Sequence, residues 1–177
     1  MPTDVDRVCH PSYLEDLGNQ PIDDVRAKRQ ECQDIENALS YVRRLLHGRL
    51  DIVRGELERR RSGGAPADLD AIIARLPELL SDGSRSSGLP RPPQDLAPGG
   101  LAEELVADLD VAFPVSALAS VPDLSVEELS ELADGLRAHE ADVSSGRQEL
   151  HQVIDHLHEE IIRRYQSGEA SVDSILQ

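Results

Sequence analysis

The chain has 177 residues, a formal net charge of −16, one Phe, three Tyr and no Trp. Because large aromatic side chains are so few, a buried core must be built mainly from Leu, Ile and Val. The acidic balance argues against nonspecific binding to DNA, RNA or acidic lipid, since phosphate groups require a positively charged surface, and it favours basic partners.

Residues 1–20 are predicted to be an N-terminal tail. They contain neither the basic start nor the apolar run of a secretion signal. No later segment approaches the ~18 uninterrupted apolar residues of a membrane-spanning helix. We therefore expect a cytoplasmic protein that does not bind membranes. Cys9 and Cys32 lack CxxC spacing and are expected to be free thiols.

Residues 21–61 are predicted to form a long amphipathic helix. Apolar residues recur there at threes, fours and sevens, as in a coiled-coil seam. Pro21 suits the first turn, and Gly63 and Gly64 end the helix after a run of arginines. The seam residues are Ile22, Val25, Cys32, Ile35, Leu39, Val42, Leu46, Leu50, Val53 and Leu57.

Residues 62–123 are predicted to be a linker that contains short helices. The stretch DGSRSSGLPRPPQDLAPGG has the Pro, Gly and Ser content of a linker. On either side of it, ADLDAIIARLPELL and GLAEELVADLDVAF resemble brief amphipathic helices, which Pro77 and Pro114 limit.

Residues 124–166 are predicted to form the second long helix, followed by a C-terminal tail at 167–177. Asp123 or Ser125 can cap this helix, and Glu127 and Glu128 lie in its first turn. Its seam residues are Leu129, Leu132, Leu136, Val143, Leu150, Val153, Leu157 and Ile161. With no strand predicted, the fold class is all-α.

A repeat relates the two long helices. A shift of 104 positions aligns ENALSYVRRLLHGRLD with EADVSSGRQELHQVID without a gap. Both copies contain the pattern E-x3-S-x2-R-x3-H-x3-D, whose ten residues are Glu36, Ser40, Arg43, His47, Asp51, Glu140, Ser144, Arg147, His151 and Asp155. The same shift matches a second pattern, E-x2-R-R: Glu56, Arg59 and Arg60 with Glu160, Arg163 and Arg164.

In each copy, the five polar residues lie within a quarter turn of one another and form a stripe beside the apolar seam. If the two helices pair antiparallel, a pseudo-two-fold axis places both stripes along one groove, whereas a parallel pair directs them to opposite sides. A shared site therefore requires a long antiparallel two-helix coiled coil. Its ligand should be two-fold symmetric or should bind as a symmetric pair.

The residue types in the stripes suit an anionic or guanine-containing ligand. Arginine matches phosphate oxygens or the O6 and N7 acceptors of guanine, and aspartate can accept hydrogen bonds from the N1 and N2 edge of the same base. Serine and histidine supply further short-range hydrogen bonds.

The duplicated stripe and the string YVRRLLHGRLDIVRGELERR resemble the RsiG family, the cyclic di-GMP-responsive anti-sigma factors of sporulating actinobacteria. The resemblance covers both long helices. It implies that the ten stripe residues bind a dimer of cyclic di-GMP on an antiparallel coiled coil, and that the partner is a sigma factor of the WhiG type, held away from RNA polymerase. The family pattern has Gln where this chain has His47 and His151.

Three other interpretations use the same residues. The protein could be an acidic coiled-coil adaptor without a nucleotide ligand, in which the stripes are solvated faces with intrahelical ion pairs. A metal site could use His151, Asp155 and His158, but the first copy has an arginine in place of the last of these. An enzyme would need an activated nucleophile or a paired acid and base, and the pattern contains neither. We therefore expect no catalytic residues and no metal.

Overall fold

The computed structural model describes residues 3–64 and 100–169, in which every regular element is helical. The all-α class is therefore confirmed for this part of the chain. The predicted short helix that ends near Pro77 and the Pro-rich stretch lie outside the described residues. The helices are α1 (Thr3–Cys9), α2 (Ile22–Arg61), α3 (Gly100–Ala112), α4 (Val115–Ala119) and α5 (Val126–Ser167).

The segment predicted to be an N-terminal tail has regular structure. Helix α1 buries Val5 and Val8, which are three residues apart and share one face. Two short 3-10 helices, Pro11–Leu14 and Leu17–Asn19, follow before α2. Tyr13 donates a hydrogen bond to the Glu31 carboxylate at 2.6 Å. A single pair of buried valines in seven residues gives too little periodicity to predict a helix from sequence.

Local signals define the ends of the long helices. Gly63 has a φ of 81° and its N–H donates to the Arg60 carbonyl, while the Gly64 N–H donates to the Arg59 carbonyl. These two bonds form a Schellman motif, which requires a left-handed residue at the position of Gly63. At the start of α5, the Ser125 hydroxyl accepts from the Glu128 N–H and the Glu128 carboxylate accepts from the Ser125 N–H. Ser125 therefore caps α5 in a capping box.

The chain divides into two compact units, and both long helices contribute to each. The first unit contains Met1–Ser40 and Ser144–Gln177. Within it, α2 and α5 run antiparallel, because Arg26 donates to the Tyr165 hydroxyl while Arg147 donates to Glu36. The buried apolar residues of this unit are Val5, Val8, Val25, Cys32, Ile35, Ala38, Leu39, Leu150, Val153, Leu157 and Ile161.

The second unit is Tyr41–Val143. Within it, the two long helices also run antiparallel, since Arg43 contacts Glu140 and Arg60 contacts the Leu124 carbonyl. Helix α3 buries Ala102 and Leu109. The other buried apolar residues of this unit are Val42, Leu46, Leu50, Val53, Leu57, Val121, Leu129, Ala133, Leu136 and Val143.

A clamp with the sequence E-x2-R-R closes the end of each long helix. In α2, the Glu56 carboxylate accepts from Arg59 and, at 2.6 Å, from Arg60 Nε. Arg60 Nη2 donates to the carbonyls of Val121 and Pro122, and Nη1 donates to the carbonyl of Leu124; all three residues lead into α5.

The second clamp repeats this arrangement in the other unit. Glu160 accepts from Arg163 and Arg164, and Arg164 also donates to the carbonyls of Leu17 and Gln20, which lead into α2. Each clamp therefore ties the end of one long helix to the turn before the other.

Candidate functional site

The first cluster of stripe residues contains Glu36, Ser40, Arg147 and His151, all in the first unit. Their donors converge on one oxygen, Glu36 Oε1. Ser40 Oγ lies 2.7 Å from it, Arg147 Nη2 2.7 Å, Arg147 Nε 3.1 Å and His151 Nε2 3.3 Å. Glu36 and Ser40 come from one copy of the repeat, and Arg147 and His151 come from the other.

Burial and hydrogen bonding act in opposite directions on Glu36. Glu36 is buried, with only 8% of the residue exposed. Burial alone would raise its pKa, but the hydrogen bonds from Arg147 and Ser40 outweigh that effect and lower the pKa below its ordinary value. The carboxylate is therefore ionised at neutral pH and holds the guanidinium of Arg147.

The second cluster contains Arg43, His47 and Glu140, all in the second unit. Arg43 Nε and His47 Nε2 each lie 3.1 Å from Glu140 Oε1. The residue types match those of the first cluster with the two copies exchanged. Here the side chains are more exposed, at 38% for Arg43 and 24% for Glu140, against 20% for Arg147 and 10% for Glu36.

The pairing of a glutamate of one copy with the arginine of the other was not predicted from the sequence. Seven residues separate Glu36 from Arg43, and seven separate Glu140 from Arg147. In an antiparallel pairing, equal spacings place each glutamate opposite the other copy's arginine in one register. The equal spacing of glutamate and arginine in the two copies is therefore sufficient to predict these contacts between copies from the sequence.

The glutamate contacts leave one edge of each arginine accessible. Glu36 binds Arg147 from the side, through Nε and Nη2, and Nη1 of Arg147 makes no hydrogen bond within the described residues. In the second cluster, Glu140 accepts from Nε of Arg43. The end-on edge of a guanidinium is the one that forms a bidentate contact with O6 and N7 of guanine. The geometry is thus compatible with simultaneous binding of a glutamate and a base.

The remaining three stripe residues are Asp51, Asp155 and Ser144. Asp51 is half-buried and Asp155 is exposed, and neither forms a hydrogen bond or ion pair with any residue in 3–64 or 100–169. Ser144 is half-buried. The two aspartates thus have carboxylate oxygens available to a ligand.

Within residues 3–64 and 100–169, no group of three or more His, Cys, Asp or Glu side chains has an arrangement that could hold a metal ion, and this includes the set that contains His151, Asp155 and His158. None of the described helices combines the length and apolar character needed to cross a bilayer.

The comparison with family models identifies the relatives of the chain. A model described as RsiG-like matches residues 11–80 and 115–177, which include both clusters and both long helices. The chain belongs to the RsiG-like family. That family consists of regulatory anti-sigma factors rather than enzymes, so RsiG-like membership supports an anti-sigma factor role with a sigma factor as partner. No curated protein matched the chain.

Proposed function

We propose that this RsiG-like protein binds cyclic di-GMP on its duplicated stripe and, in that state, sequesters a WhiG-type sigma factor from RNA polymerase. The observation that carries the proposal is the double occurrence of one constellation, in which a glutamate holds the arginine and histidine of the other copy. The proposal places the protein in the cytoplasm, where sigma factors act.

Each cluster is proposed to read one guanine base. The end-on edge of Arg147 or Arg43 would donate to O6 and N7, and the carboxylate of Asp155 or Asp51 would accept from N1 and N2. Glu36 and Glu140 would hold the arginines in orientation, which lowers the entropic cost of forming a bidentate contact. Ser and His would complete the hydrogen bonds to the ligand.

The proposal includes one antiparallel coiled coil of α2 and α5 that binds two cyclic di-GMP molecules. It is supported by the antiparallel direction of the helices within each unit and by the continuous apolar seam. The resemblance to the RsiG family implies two ligand molecules for each chain, and each cluster would then read one guanine from a different molecule.

The ion pairs favour one alternative, an acidic coiled-coil adaptor without a nucleotide ligand. Glu36 and Glu140 are already paired with arginines, so the stripe residues could serve only to hold the two helices together. The alternative requires that the nucleotide does not bind. It also leaves Asp51 and Asp155 without a role.

Calorimetric titration with cyclic di-GMP, beside cyclic di-AMP and GMP as controls, tests the proposal. We expect binding of cyclic di-GMP at two molecules per chain and much weaker binding of both controls, because adenine lacks the O6 acceptor and a single GMP lacks the cyclic phosphate backbone. The Arg43→Ala, Arg147→Ala double variant should lose that binding. If the double variant binds cyclic di-GMP as tightly as the unmodified protein does, the stripe does not form the binding site. If the unmodified protein does not bind cyclic di-GMP, the adaptor alternative is favoured.

A further inference from the structure

The short helix α3 and the residue that begins α4 expose apolar side chains to solvent. Val111 is 85% exposed and Val115 is 59% exposed, and Ile162 is the other large exposed apolar residue within the described ranges. Single exposed apolar residues are common on protein surfaces. Val111 and Val115, however, lie only four residues apart, on either side of Phe113 and Pro114.

The exposed valine of α3 belongs to one defined face. Ala102 and Leu109 are buried on the opposite side of this helix. At 100° per residue, Glu104, Asp108 and Val111 lie within about 60° of one another, and all three are exposed. We call Glu104, Asp108, Val111 and Val115 the α3 surface. It combines two carboxylates with two apolar side chains.

The α3 surface is held firmly by its own unit. The buried side chain of Arg49 donates to the Phe113 carbonyl and to the Asp110 carboxylate. The arginine therefore caps the C-terminal end of α3. The Phe113 ring packs against His139, with ring centroids 5.8 Å apart, and a Cβ on Gly135 would lie 3.1 Å from that ring. A fixed surface loses little conformational entropy when a partner binds.

The stretch of chain that carries the α3 surface has charged side chains of one sign, and the buried Arg49 that pairs with Asp110 comes from α2. Residues 100–136 contain nine Asp or Glu and no Lys or Arg. Six of the nine are exposed and form no ion pair with any described residue: Glu103, Glu104, Asp108, Asp123, Glu127 and Glu131. A protein that binds here must therefore present a positive surface with an apolar component.

We propose that the α3 surface docks the positively charged, DNA-binding face of the sigma factor. This inference rests on the proposed anti-sigma function, which supplies the class of partner. A sigma factor recognises promoter DNA and must carry a basic surface for that purpose. The acidic α3 surface competes with DNA for that basic surface, and Val111 and Val115 contact apolar side chains between the basic ones.

Most of the α3 surface lies outside the ranges that the family model matches. Helix α3 falls in the gap between the two matched ranges, 11–80 and 115–177, and Val115 is the first residue of the second range. We therefore expect the α3 surface to add to the contacts shared by RsiG-like proteins rather than to replace them. Loss of the surface weakens the complex without abolishing it, and the surface contributes to the choice among sigma factors.

Two variant pairs of the full-length protein test the inference, each with a matched control. Val111→Lys with Val115→Lys should weaken binding of a WhiG-type sigma factor about tenfold, the effect of losing a substantial interface contact. The control is Ile162→Lys, a single lysine at the other exposed apolar residue, which is compared with Val111→Lys and Val115→Lys made one at a time and should have less than a twofold effect. Glu104→Gln with Asp108→Asn should weaken binding and reduce its salt dependence, whereas Glu149→Gln with Glu159→Gln, an equal charge change elsewhere, should not.

Titrations of the sigma factor are run with cyclic di-GMP present, and helical content and cyclic di-GMP affinity are measured for every variant. Unchanged sigma-factor affinity in both α3 pairs would overturn the inference and leave the proposed function intact. Failure of the unmodified protein to bind the sigma factor would instead overturn the proposed function. If the lysine variants lose helical content, the Gln and Asn pair decides, because it changes no side-chain size: equal affinity there overturns the inference.

Discussion

At the residue scale, the stripe arginines serve the fold as well as the proposed ligand. Glu36 is buried, and among the described residues Arg147 is the one arginine that forms an ion pair with it. Removing one partner of a buried charge leaves the other without compensation, which costs more than the pair itself contributes. The equivalent Glu140 is more exposed and can be solvated by water when Arg43 is removed.

We predict that Arg147→Ala lowers the free energy of unfolding by about 1–3 kcal/mol, and that Arg43→Ala lowers it less. Urea unfolding followed by circular dichroism measures both. Adding Glu36→Gln to Arg147→Ala should recover part of the loss, because the buried charge is then gone. An equal or larger loss for Arg43→Ala would show that burial of the glutamate does not determine the cost.

The two stripe histidines contact the cluster glutamates. His47 and His151 hydrogen-bond Glu140 and Glu36, respectively, through Nε2. We predict that His47→Gln with His151→Gln preserves cyclic di-GMP binding, because a glutamine amide can also form hydrogen bonds at these positions, whereas alanine at both positions weakens it. Calorimetric titration measures both double variants. Unchanged affinity in the alanine variant would exclude the histidines from the ligand contacts.

At the scale of elements, the clamps join the long helices at their ends. Arg60 and Arg164 are buried to a similar degree, and each donates to backbone carbonyls that precede the other long helix. We predict that alanine at either position lowers the free energy of unfolding by about 1.5–3 kcal/mol, the range for hydrogen bonds to charged groups. Arg61→Ala is the control, because Arg61 is exposed and its side chain forms no hydrogen bond or ion pair with any described residue. A cost no larger than that of the control would contradict the clamp.

The clamp glutamates also make the free energy of unfolding depend on pH in the acidic range. Hydrogen bonds from Arg163 and Arg164 lower the pKa of Glu160 from its ordinary 4.5 to about 2. Between these pH values, the unfolded chain binds a proton that the folded chain does not, so stability is lost as the pH falls from about 5 to 2. Burial alone would raise the pKa of Glu56, but Arg59 and Arg60 outweigh it and lower that pKa too.

We predict that Glu160→Gln makes the decline in unfolding free energy between pH 6 and 3 less steep. The neutral amide has no proton to bind in this range, so its contribution is constant. Urea unfolding at several pH values measures the slope. Glu159→Gln changes an exposed neighbour whose side chain forms no hydrogen bond or ion pair with any described residue, and this variant should keep the steeper decline. Equal slopes in the two variants would show that Glu160 is not responsible.

At the scale of the whole molecule, the binding of cyclic di-GMP and the binding of the sigma factor must be thermodynamically linked. If cyclic di-GMP raises the affinity for the sigma factor, the sigma factor raises the affinity for cyclic di-GMP by the same factor. We predict a coupling of about 1–3 kcal/mol, typical of allosteric pairs. The messenger would supply it by bridging donors from both copies of the repeat.

Titration of the sigma factor into the protein, with and without cyclic di-GMP, measures this coupling. The Arg43→Ala, Arg147→Ala double variant should retain only the affinity seen without the nucleotide. Equal sigma-factor affinity in the presence and absence of the nucleotide would leave a messenger-binding protein but contradict messenger-gated sequestration.

The sequence by itself determined the helical class, the ten stripe residues as a repeated set and the family. These features follow from local periodicity and from an ungapped repeat, both of which are properties of spacing along the chain. The ends of the long helices were also readable, because Gly63 and Ser125 act on the backbone within a few residues.

Only the tertiary structure decided which stripe residues pair and which carbonyls the clamps hold. Glu36 and Arg147 are 111 residues apart, and Arg60 reaches carbonyls 61 to 64 residues away. Their distances depend on the register of two helices and on burial, which periodicity does not contain. The same reason explains α3: its amphipathic pattern was visible, but the exposure of Val111 depends on how Arg49 and Phe113 fasten the helix to its unit.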